Sequence, residues 1–357
     1  MRALLATTLA LVMSTAAHAD VPDASHAEVS PAAEEAVAEE EVNEHAPPQA
    51  ESAESAESAD SPFSASVLAE VSIGAGTLTP GPAARPYVNL LTKVRGSYRF
   101  EDLGLELGLS FSVNVNAVEN ADSGNTVPHQ VKPGDLRLTA DLDGLLTWDA
   151  IGLEVLPSVA LSLPTSLESI HVGKLFGVTA GVSVAVEPIA WLYADVRASF
   201  TKNVNLTTHA VLDADRFDVA PLSRAGGAEA IAEGRVAIAG GLTSWYAVWG
   251  AGVTFTPVEK FSILVDFEML HLFSYDAIPL DAYSSPYAHE GRGQSDLMYG
   301  TIELAYALIE GLSLALGTVV EQEPLSADNT SPRFPWWDTT NGSANRQVFY
   351  LDVIGRF

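Results

Sequence analysis

The stretch Leu103–Asn116 constrains the fold more than any other part of the chain, because apolar residues alternate along it with small or polar ones without a break. A side-chain period of two is the repeat of a β-strand and is incompatible with the repeat of a helix. Such a strand is long enough to cross a bilayer at a tilt, which takes about 9–11 residues. The pattern therefore predicts either a sandwich strand or a wall strand of a membrane barrel whose inner face meets water.

The first residues have the three parts of a secretory signal peptide. Met1-Arg2 is followed by an apolar run from Ala3 to Met13 and by the small-residue site Ala17-His18-Ala19. We therefore expect residues 1–19 to be removed on export. The apolar run is too short for a membrane anchor, which takes about 20 residues. Because the 357-residue chain contains no cysteine, we expect neither disulfides nor a lipid anchor.

The next segment, residues 20–61, is expected to be a disordered periplasmic tail. It holds 13 acidic residues between Asp20 and Asp60, no Lys or Arg, and a repeated Glu-Ser-Ala triplet. So little apolar surface cannot offset the entropy of ordering the segment. A solvated spacer is the favoured role for such a charge run, and a tether for a basic partner or for cations is the alternative.

The C-terminal end of the chain is also informative, because it reads as a strand. Apolar residues alternate with polar ones, and the chain stops on an aromatic residue. An outer-membrane barrel closes with such a strand, whose outward face must be apolar and whose end lies at the water interface. We therefore expect outer-membrane lipid and the outer-membrane assembly machinery as partners. The predicted assembly signal consists of Phe349, Leu351, Val353, Gly355 and Phe357.

Similar alternation recurs along the chain and indicates about twelve strands, joined alternately by tight turns and long loops. An up-and-down barrel with short periplasmic turns and longer outside loops requires this order, whereas a Greek-key sandwich does not sort its loops in this way. We therefore predict that residues 62–357 form an all-β, up-and-down antiparallel transmembrane β-barrel. The expected strands are 64–75, 87–99, 103–117, 135–146, 152–163, 175–186, 190–203, 236–256, 260–273, 296–308, 312–322 and 346–357.

The stretch 236–256 fits this pattern least well. Val236 shares one phase of the alternation with Ile238, whereas Trp249 and Val253 share the opposite phase, and Gly240-Gly241 lies between the two halves. A bulge at the glycines would restore the phase, and so would a separate hairpin outside the membrane. The expected strand count therefore ranges from ten to fourteen.

The alternation also assigns the two faces of the wall. Apolar residues such as Leu90, Val94 and Val196 are expected to meet lipid, and the opposite face carries the charges. A charge facing lipid at mid-membrane costs about 2–4 kcal/mol, and a wet lumen removes that cost. Aromatic residues beside the tight turns, such as Trp148 and Trp191, predict a periplasmic girdle. The predicted lumen-facing residues are Lys93, Arg95, Arg99, Glu106, Arg137, Asp141, Asp195, Arg197, Asp266 and Glu268.

No pattern of catalytic chemistry stands out. The chain lacks a zinc pattern, a phosphate loop and a nucleotide fingerprint, and its net charge of −28 argues against nucleic acid as a partner. His271 with the nearby Ser274 is a candidate for a lipid hydrolase, but a single interfacial His beside a Ser is more often packing. Asp213, Asp215 and Asp218 could hold calcium, although their spacing favours a solvated acidic loop. We expect no cofactor, no metal and no enzymatic activity.

Two short motifs carry a family resemblance. Gly134-Asp135-Leu136-Arg137-Leu138 and the later stretch from Leu156 to Ser166, which contains Leu163-Pro164-Thr165-Ser166, resemble the strand start and strand end of transporter-like barrels. These barrels are related to FadL-type channels for hydrophobic compounds and to channels of aromatic-degradation pathways. Ser166 stands where that pattern has Gly. The resemblance implies a transport barrel.

The sequence therefore favours an outer-membrane channel or porin-like transporter for passive passage of small molecules. Selectivity would come from lumen charges and outside loops. A structural or adhesive barrel with a filled lumen is the first alternative, and a lipid hydrolase is a remote one. A soluble β-sandwich is the alternative outside the membrane.

Overall fold

The structure is a computed structural model that describes residues 61–78, 87–118, 131–206, 209–213, 235–275, 294–326, 330–337 and 347–357. The predicted signal peptide and acidic tail lie outside these ranges, apart from Ser61. The described chain is almost entirely β-structure. It contains no helix that is long and apolar enough to cross a membrane.

The strands follow one another along the chain with short helical segments between some of them. The helices are α1 (Ala75–Leu78) and α2 (Leu167–His171), and a 3-10 turn spans Glu101–Leu103. The strands are β1 (Phe63–Gly74), β2 (Val88–Phe100), β3 (Leu105–Val118), β4 (Val131–Pro133), β5 (Leu136–Leu142), β6 (Leu146–Trp148), β7 (Leu153–Leu163), β8 (Lys174–Ile189), β9 (Leu192–Asn205), β10 (His209–Asp213), β11 (Arg235–Gly241), β12 (Thr243–Val258), β13 (Phe261–Ser274), β14 (Gln294–Ile309), β15 (Leu312–Gln322) and β16 (Gln347–Arg356).

Twelve of these strands close into a barrel in which chain neighbours pair antiparallel. The order is β1, β2, β3, β5, β7, β8, β9, β12, β13, β14, β15 and β16, and β16 pairs back onto β1. Because the first and last strands pair, no strand of the ring is left as an edge. The short strands β4 and β6 extend the line of β5 at its two ends by pairing with β3 and β7. The predicted all-β, up-and-down barrel of about twelve strands is confirmed.

The single strand expected over 236–256 is wrong. In the structure β11 pairs with β10 in a separate two-stranded sheet, whereas β12 pairs with β9 and β13 in the barrel. The change of alternation phase at Gly240-Gly241 therefore marks a hairpin outside the barrel wall and not a bulge within it. One continuous strand would have placed the apolar residues of one half on the polar face.

The wall buries polar side chains and exposes apolar ones, which is the reverse of the arrangement in a soluble protein. On β9, Asp195 is 5% exposed, whereas its chain neighbour Val196 is 62% exposed. The same order holds on other strands, where buried Asp266 and Glu303 alternate with exposed or half-exposed apolar residues. A soluble protein rarely exposes a continuous apolar surface of this kind, and a wall in lipid does. The exposed face therefore has the apolar character expected of a wall in lipid.

Exposed aromatic residues gather at the end of the barrel that carries the short turns. The side chains concerned are those of Phe100, Trp148, Trp191, Phe255 and Phe357. Aromatic rings favour the interface between lipid and water, since one edge is apolar and the other tolerates water. Their position agrees with the girdle expected from the sequence.

The connection after β15 folds back against the outside of the wall. We call residues 331–337 the outer strap. Trp336 Nε1 donates to the backbone oxygen of Asp266 at 2.6 Å, and Gln322 Nε2 donates to the Phe334 oxygen at 2.6 Å. Gly300 lies beneath the strap, because a Cβ at this position would collide with the Pro335 oxygen. The strap explains why Val320, on the outer face, is 0% exposed.

Candidate functional site

The buried polar face of the wall holds three groups of ionizable side chains. The first, which we call the Arg197 cluster, contains one cation and three carboxylates. Arg197 Nη1 lies 3.0 Å from Asp195, its Nη2 lies 2.6 Å from Asp266, and its Nε donates to Glu268 at 2.8 Å. Arg197 extends from β9 and its two distant partners from β13, so these contacts pass over β12. The sequence predicted all four residues on one face but not that they contact one another.

Two glycines on β12 leave room for these contacts. A Cβ at Gly252 would lie 2.7 Å from Asp195 Oδ1 and 2.9 Å from Asp266 Oδ1. At Gly250 it would lie 2.5 Å from the backbone oxygen of Phe267. A larger residue at either position would therefore force atoms apart. The glycines allow a guanidinium on one strand to reach carboxylates two strands away.

The second group, the Arg95 cluster, lies near the short turns of β2, β3 and β5. Arg95 is 3.3 Å from Glu106 and 3.6 Å from Asp141, and Arg99 is 3.7 Å from Glu106 and 3.0 Å from Asp143. The side chains of Arg95 and Arg99 are 47% and 50% exposed, so water reaches this part of the wall. Exposed pairs of this kind contribute about 0–1 kcal/mol to stability. These side chains therefore matter more for the charge that they place on the wall than for stability.

Lys93 and Arg137 complete the predicted set. Arg95 pairs in register with Ser110, which pairs on its other side with Arg137, so the two arginines share one row across three strands. Lys93 lies two residues from Arg95 on β2 and therefore shares its face. Sequence reasoning missed Asp143, because this residue lies in a turn and not within an alternating strand.

The third group, which we call the carboxylate site, contains Glu70, Glu303 and Asp352 and was missed from the sequence. Glu70 on β1 and Asp352 on β16 are directly opposite partners. The hydroxyl of Tyr350 donates to Glu303 Oε2 at 2.9 Å. The signal that could have found these acids is the alternation itself, since each is a polar residue between two apolar or small neighbours.

Because of these three groups, different parts of the barrel wall carry different charge. Cations concentrate on β2, which carries Lys93, Arg95 and Arg99, and β5 adds Arg137. Acids dominate the wall from β13 through β16 to β1, which carries Asp266, Glu303 and Glu70. Fixed charges of opposite sign on different parts of the wall create a field in the enclosed space, and a low-dielectric surround strengthens it.

Apolar side chains occupy the same buried face nearer the long loops. Leu270 and Leu272 share the alternation phase of Asp266, and they pack with Val248, Leu297 and Tyr299. All five side chains are buried. The loop end of the β12–β14 wall is therefore packed more tightly than the region of the Arg95 cluster.

At the loop end of β5, Asp135 joins the two motifs that carry the family resemblance. Its Oδ1 accepts from the backbone nitrogens of Thr165 and Ser166, and its Oδ2 accepts from Ser169 Oγ at 2.6 Å and Lys174 Nζ at 2.9 Å. Thr165 Oγ1 also donates to the Gly134 oxygen at 2.8 Å. The two motifs therefore form one clasp that holds α2 against the barrel.

The charge state of Asp135 follows from these contacts. Burial by itself raises the pKa of Asp135, but the charge of Lys174 and the hydrogen bonds from Ser169 and Ser166 outweigh it and lower the pKa to about 2. Asp135 is therefore ionized throughout the neutral range. It has a structural partner for each carboxylate oxygen, so the clasp orders the loop.

His271 lies on the outer face of β13. Its Nε2 is 3.0 Å from Trp249 Nε1, and its Nδ1 is 2.8 Å from Asp296 Oδ1. An indole nitrogen can only donate, so Nε2 accepts and Nδ1 carries the proton that is donated to Asp296. With both ring nitrogens engaged, this arrangement offers no free base to activate a serine. The side chains of Asp213, Asp215 and Asp218, the calcium candidates, lie outside the described set.

No protein-family model and no curated protein matches the sequence. Among solved structures, an outer membrane channel from Pseudomonas putida F1 is similar at 12% identity and a TM-score of 0.49, covering 83% of this chain and 95% of that one. The KdgM porin in complex with disordered oligogalacturonate is similar at 8% identity and a TM-score of 0.41, covering 82% and 99%. The NanC porin is similar at 9% identity and a TM-score of 0.41, covering 82% and 98%.

Proposed function

We propose that this protein is an outer-membrane channel that passes small molecules passively. The observation that carries the proposal is the inverted wall: apolar side chains face outward from a closed ring, and ionizable side chains cover the enclosed face. A closed barrel with this distribution is stable in lipid and offers a polar path to solutes. The half-exposed side chains of Arg95 and Arg99 support a water-filled path beside the wall of β2, β3 and β5.

We further propose that all ten predicted lumen residues line this path. The ion pairs of the Arg95 and Arg197 clusters support a common face for eight of them, and strand alternation supports it for Lys93 and Arg137. Selectivity would come from the charges of these side chains and not from a catalytic group.

A barrel with a filled lumen is the second candidate function. The observation that favours it is the packed apolar group of Leu270, Leu272, Val248, Leu297 and Tyr299 on the enclosed face. Such a barrel would act as a scaffold or an adhesin through its outside loops. Conductance separates the two candidates, because a filled barrel carries no steady current.

The test of the proposed function is direct. Purified, refolded protein in a planar bilayer should show stepwise conductance. Liposomes that contain it should swell in solutions of sugars, amino acids or an aromatic acid. A correctly folded, heat-modifiable barrel that neither conducts nor swells liposomes would contradict the channel and favour the filled barrel.

Lumen charge can be tested separately. Reversing Lys93 and Arg95 to Glu should shift ion selectivity towards cations, as measured by the reversal potential across a salt gradient. The effect on folding should be small, since Arg95 is half exposed and its ion pairs are screened by water. Replacing Leu105 and Leu107 by Glu should instead prevent assembly, because Leu107 is on the exposed apolar face. Unchanged selectivity in a folded, conducting double variant would mean that Lys93 and Arg95 do not line the path.

We propose a bacterial outer-membrane location with residues 20–61 as a periplasmic tail. The inverted barrel and the apolar alternation of β16 support the location. We also propose that Phe349, Leu351, Val353, Gly355 and Phe357 are read by the assembly machinery. The exposure of Leu351, Val353 and Phe357 on the outer face is compatible with that role. The narrower relationship to FadL-type channels rests on the clasp motifs alone and stays a prediction.

A further inference from the structure

The carboxylate site brings three acids together without a compensating positive charge, which a purely structural role does not explain. Glu70 and Asp352 lie directly opposite each other on β1 and β16, where cross-strand Cβ atoms are about 4.5–5.5 Å apart. Like charges in this position destabilise a sheet. Both acids also repel Glu303 electrostatically. In the described part of the chain, no Lys or Arg forms an ion pair with any of the three.

One carboxylate oxygen of the site is buried without a hydrogen-bond partner. Asp352 is 7% exposed, and its Oδ1 accepts no hydrogen bond. A buried acceptor without a partner costs about 1–3 kcal/mol, and a charged one costs more. Asp266 of the Arg197 cluster also has one buried oxygen without a hydrogen-bond partner, but its other oxygen contacts the Arg197 guanidinium, and Asp352 has no such contact within the described ranges. A positive partner from outside the described residues would balance these charges.

Tyr350 adds an aromatic surface to the site. Its ring lies over Gly317 on β15, where a Cβ would collide with the ring and the hydroxyl, and this position lets the hydroxyl reach Glu303. Without glycine at this position the ring could not cross the intervening strand. An aromatic ring beside carboxylates favours an organic cation, which gains from both the charges and the ring face.

The spacing of the acids selects the kind of cation. Glu303 on β14 and Asp352 on β16 are separated by β15 and are offset by two residues in register, so their backbones are about 12 Å apart. A metal ion draws its oxygen ligands to about 2.3–2.6 Å, which such spacing does not favour. Among the described residues, no group of three or more acids or histidines is placed to hold a metal. An organic cation with several N–H donors can bridge the longer span.

We propose that the carboxylate site binds the ammonium or guanidinium group of an organic cation that enters the lumen. This proposal rests on the proposed channel function, because it names the solute class that the channel would recognise. Glu70 and Asp352 would accept hydrogen bonds from one cationic group, Glu303 from the same or a second group, and the Tyr350 ring would contact the alkyl chain between them.

The test uses spermidine as the probe and the refolded full-length chain in detergent. Isothermal titration calorimetry should detect saturable binding. Replacing Glu303 by Gln or Asp352 by Asn should weaken binding about tenfold each, since one charged hydrogen bond is lost. Glu154→Gln is the matched control: it removes one carboxylate from the polar face of β7 and should leave the affinity unchanged. Heat modifiability confirms that each variant is folded.

A second readout separates this proposal from the channel itself. In a planar bilayer, spermidine should block the current reversibly in the wild type and in Glu154→Gln but much less in Glu303→Gln. A folded protein that binds spermidine but does not conduct would contradict the channel and support the site. A conducting protein whose spermidine affinity is the same in the wild type, Glu303→Gln and Asp352→Asn would overturn the site. The site would also be overturned if spermidine did not bind and the wild type showed an infrared band of protonated carboxyl groups that disappeared in Asp352→Asn.

Discussion

Arg197 Nη2 lies 2.6 Å from Asp266 Oδ2, although the two residues belong to strands that are not neighbours in the barrel. The guanidinium crosses β12 over Gly252, where a side chain would occupy the same space. The contact shows that the charges of the enclosed face are organised across strands and not only along hairpins.

Gly252→Ala should therefore destabilise the barrel. The new Cβ would lie 2.7 Å from Asp195 Oδ1 and push the carboxylate away from Arg197. Overpacking of this kind costs about 1–3 kcal/mol. Urea unfolding in detergent, followed by tryptophan fluorescence, measures the change. Gly96→Ala is the control, since its nearest neighbour would be 4.0 Å away. Equal stability of the two variants would contradict the role of Gly252.

The Asp135 clasp should make stability depend on acid pH. The pKa of Asp135 in the folded protein is about 2, below the ordinary 3.8, so the stabilisation is present above about pH 4 and is lost as the pH falls towards 2. The difference between the two pKa values corresponds to about 2 kcal/mol in the free energy of unfolding. Asp135→Asn should be less stable than the wild type at pH 7, and the gap should narrow as the pH falls from 4 to 2.

Glu168→Gln provides the comparison for the clasp. Glu168 lies in the same helix, α2, but contributes no hydrogen bond to Asp135. Unfolding by urea at a series of pH values should show no narrowing gap for this variant. If Asp135→Asn and the wild type respond to pH in the same way, the lowered pKa is not linked to stability.

Gly300→Val should release the outer strap. The side chain would collide with the Pro335 oxygen and displace the Trp336 indole from the Asp266 oxygen. Trypsin should then cleave after Arg333 faster than in the wild type, as followed by mass spectrometry of the fragments. Gly96→Val places the same side chain on an unobstructed part of the outer face and should leave the cleavage rate unchanged. A protected Arg333 in Gly300→Val would contradict the strap's position.

Phe357→Ser should slow assembly without breaking the seam of the barrel. The Phe357 backbone forms two hydrogen bonds with Ala65, at 2.8 and 3.0 Å, and these do not depend on its side chain. The ring is 83% exposed and is available to the lipid interface and to the assembly machinery. Outer-membrane fractions should contain less heat-modifiable barrel, and Phe357→Tyr should restore it. Normal yield of the serine variant would exclude a role for the ring.

Strand alternation determined much of this protein by itself. The period of two in Leu103–Asn116 and its repetition predicted antiparallel strands, because side chains of a strand point alternately to opposite faces. The parity of short and long connections predicted the up-and-down order, and the structure confirms both. Alternation also placed Asp195, Arg197, Asp266 and Glu268 on one face, since this property is local to each strand.

Only the tertiary structure decided which of these groups meet. Contact between Arg197 and Asp266 depends on the register of three strands and on the absence of a side chain at Gly252, neither of which is a local property. The pairing of Glu70 with Asp352 likewise requires ring closure between the first and last strands. At 236–256 the sequence allowed either a bulge or a hairpin, and pairing with β10 decided for the hairpin. Registers between distant segments depend on the summed energy of many contacts, which no short stretch of sequence contains.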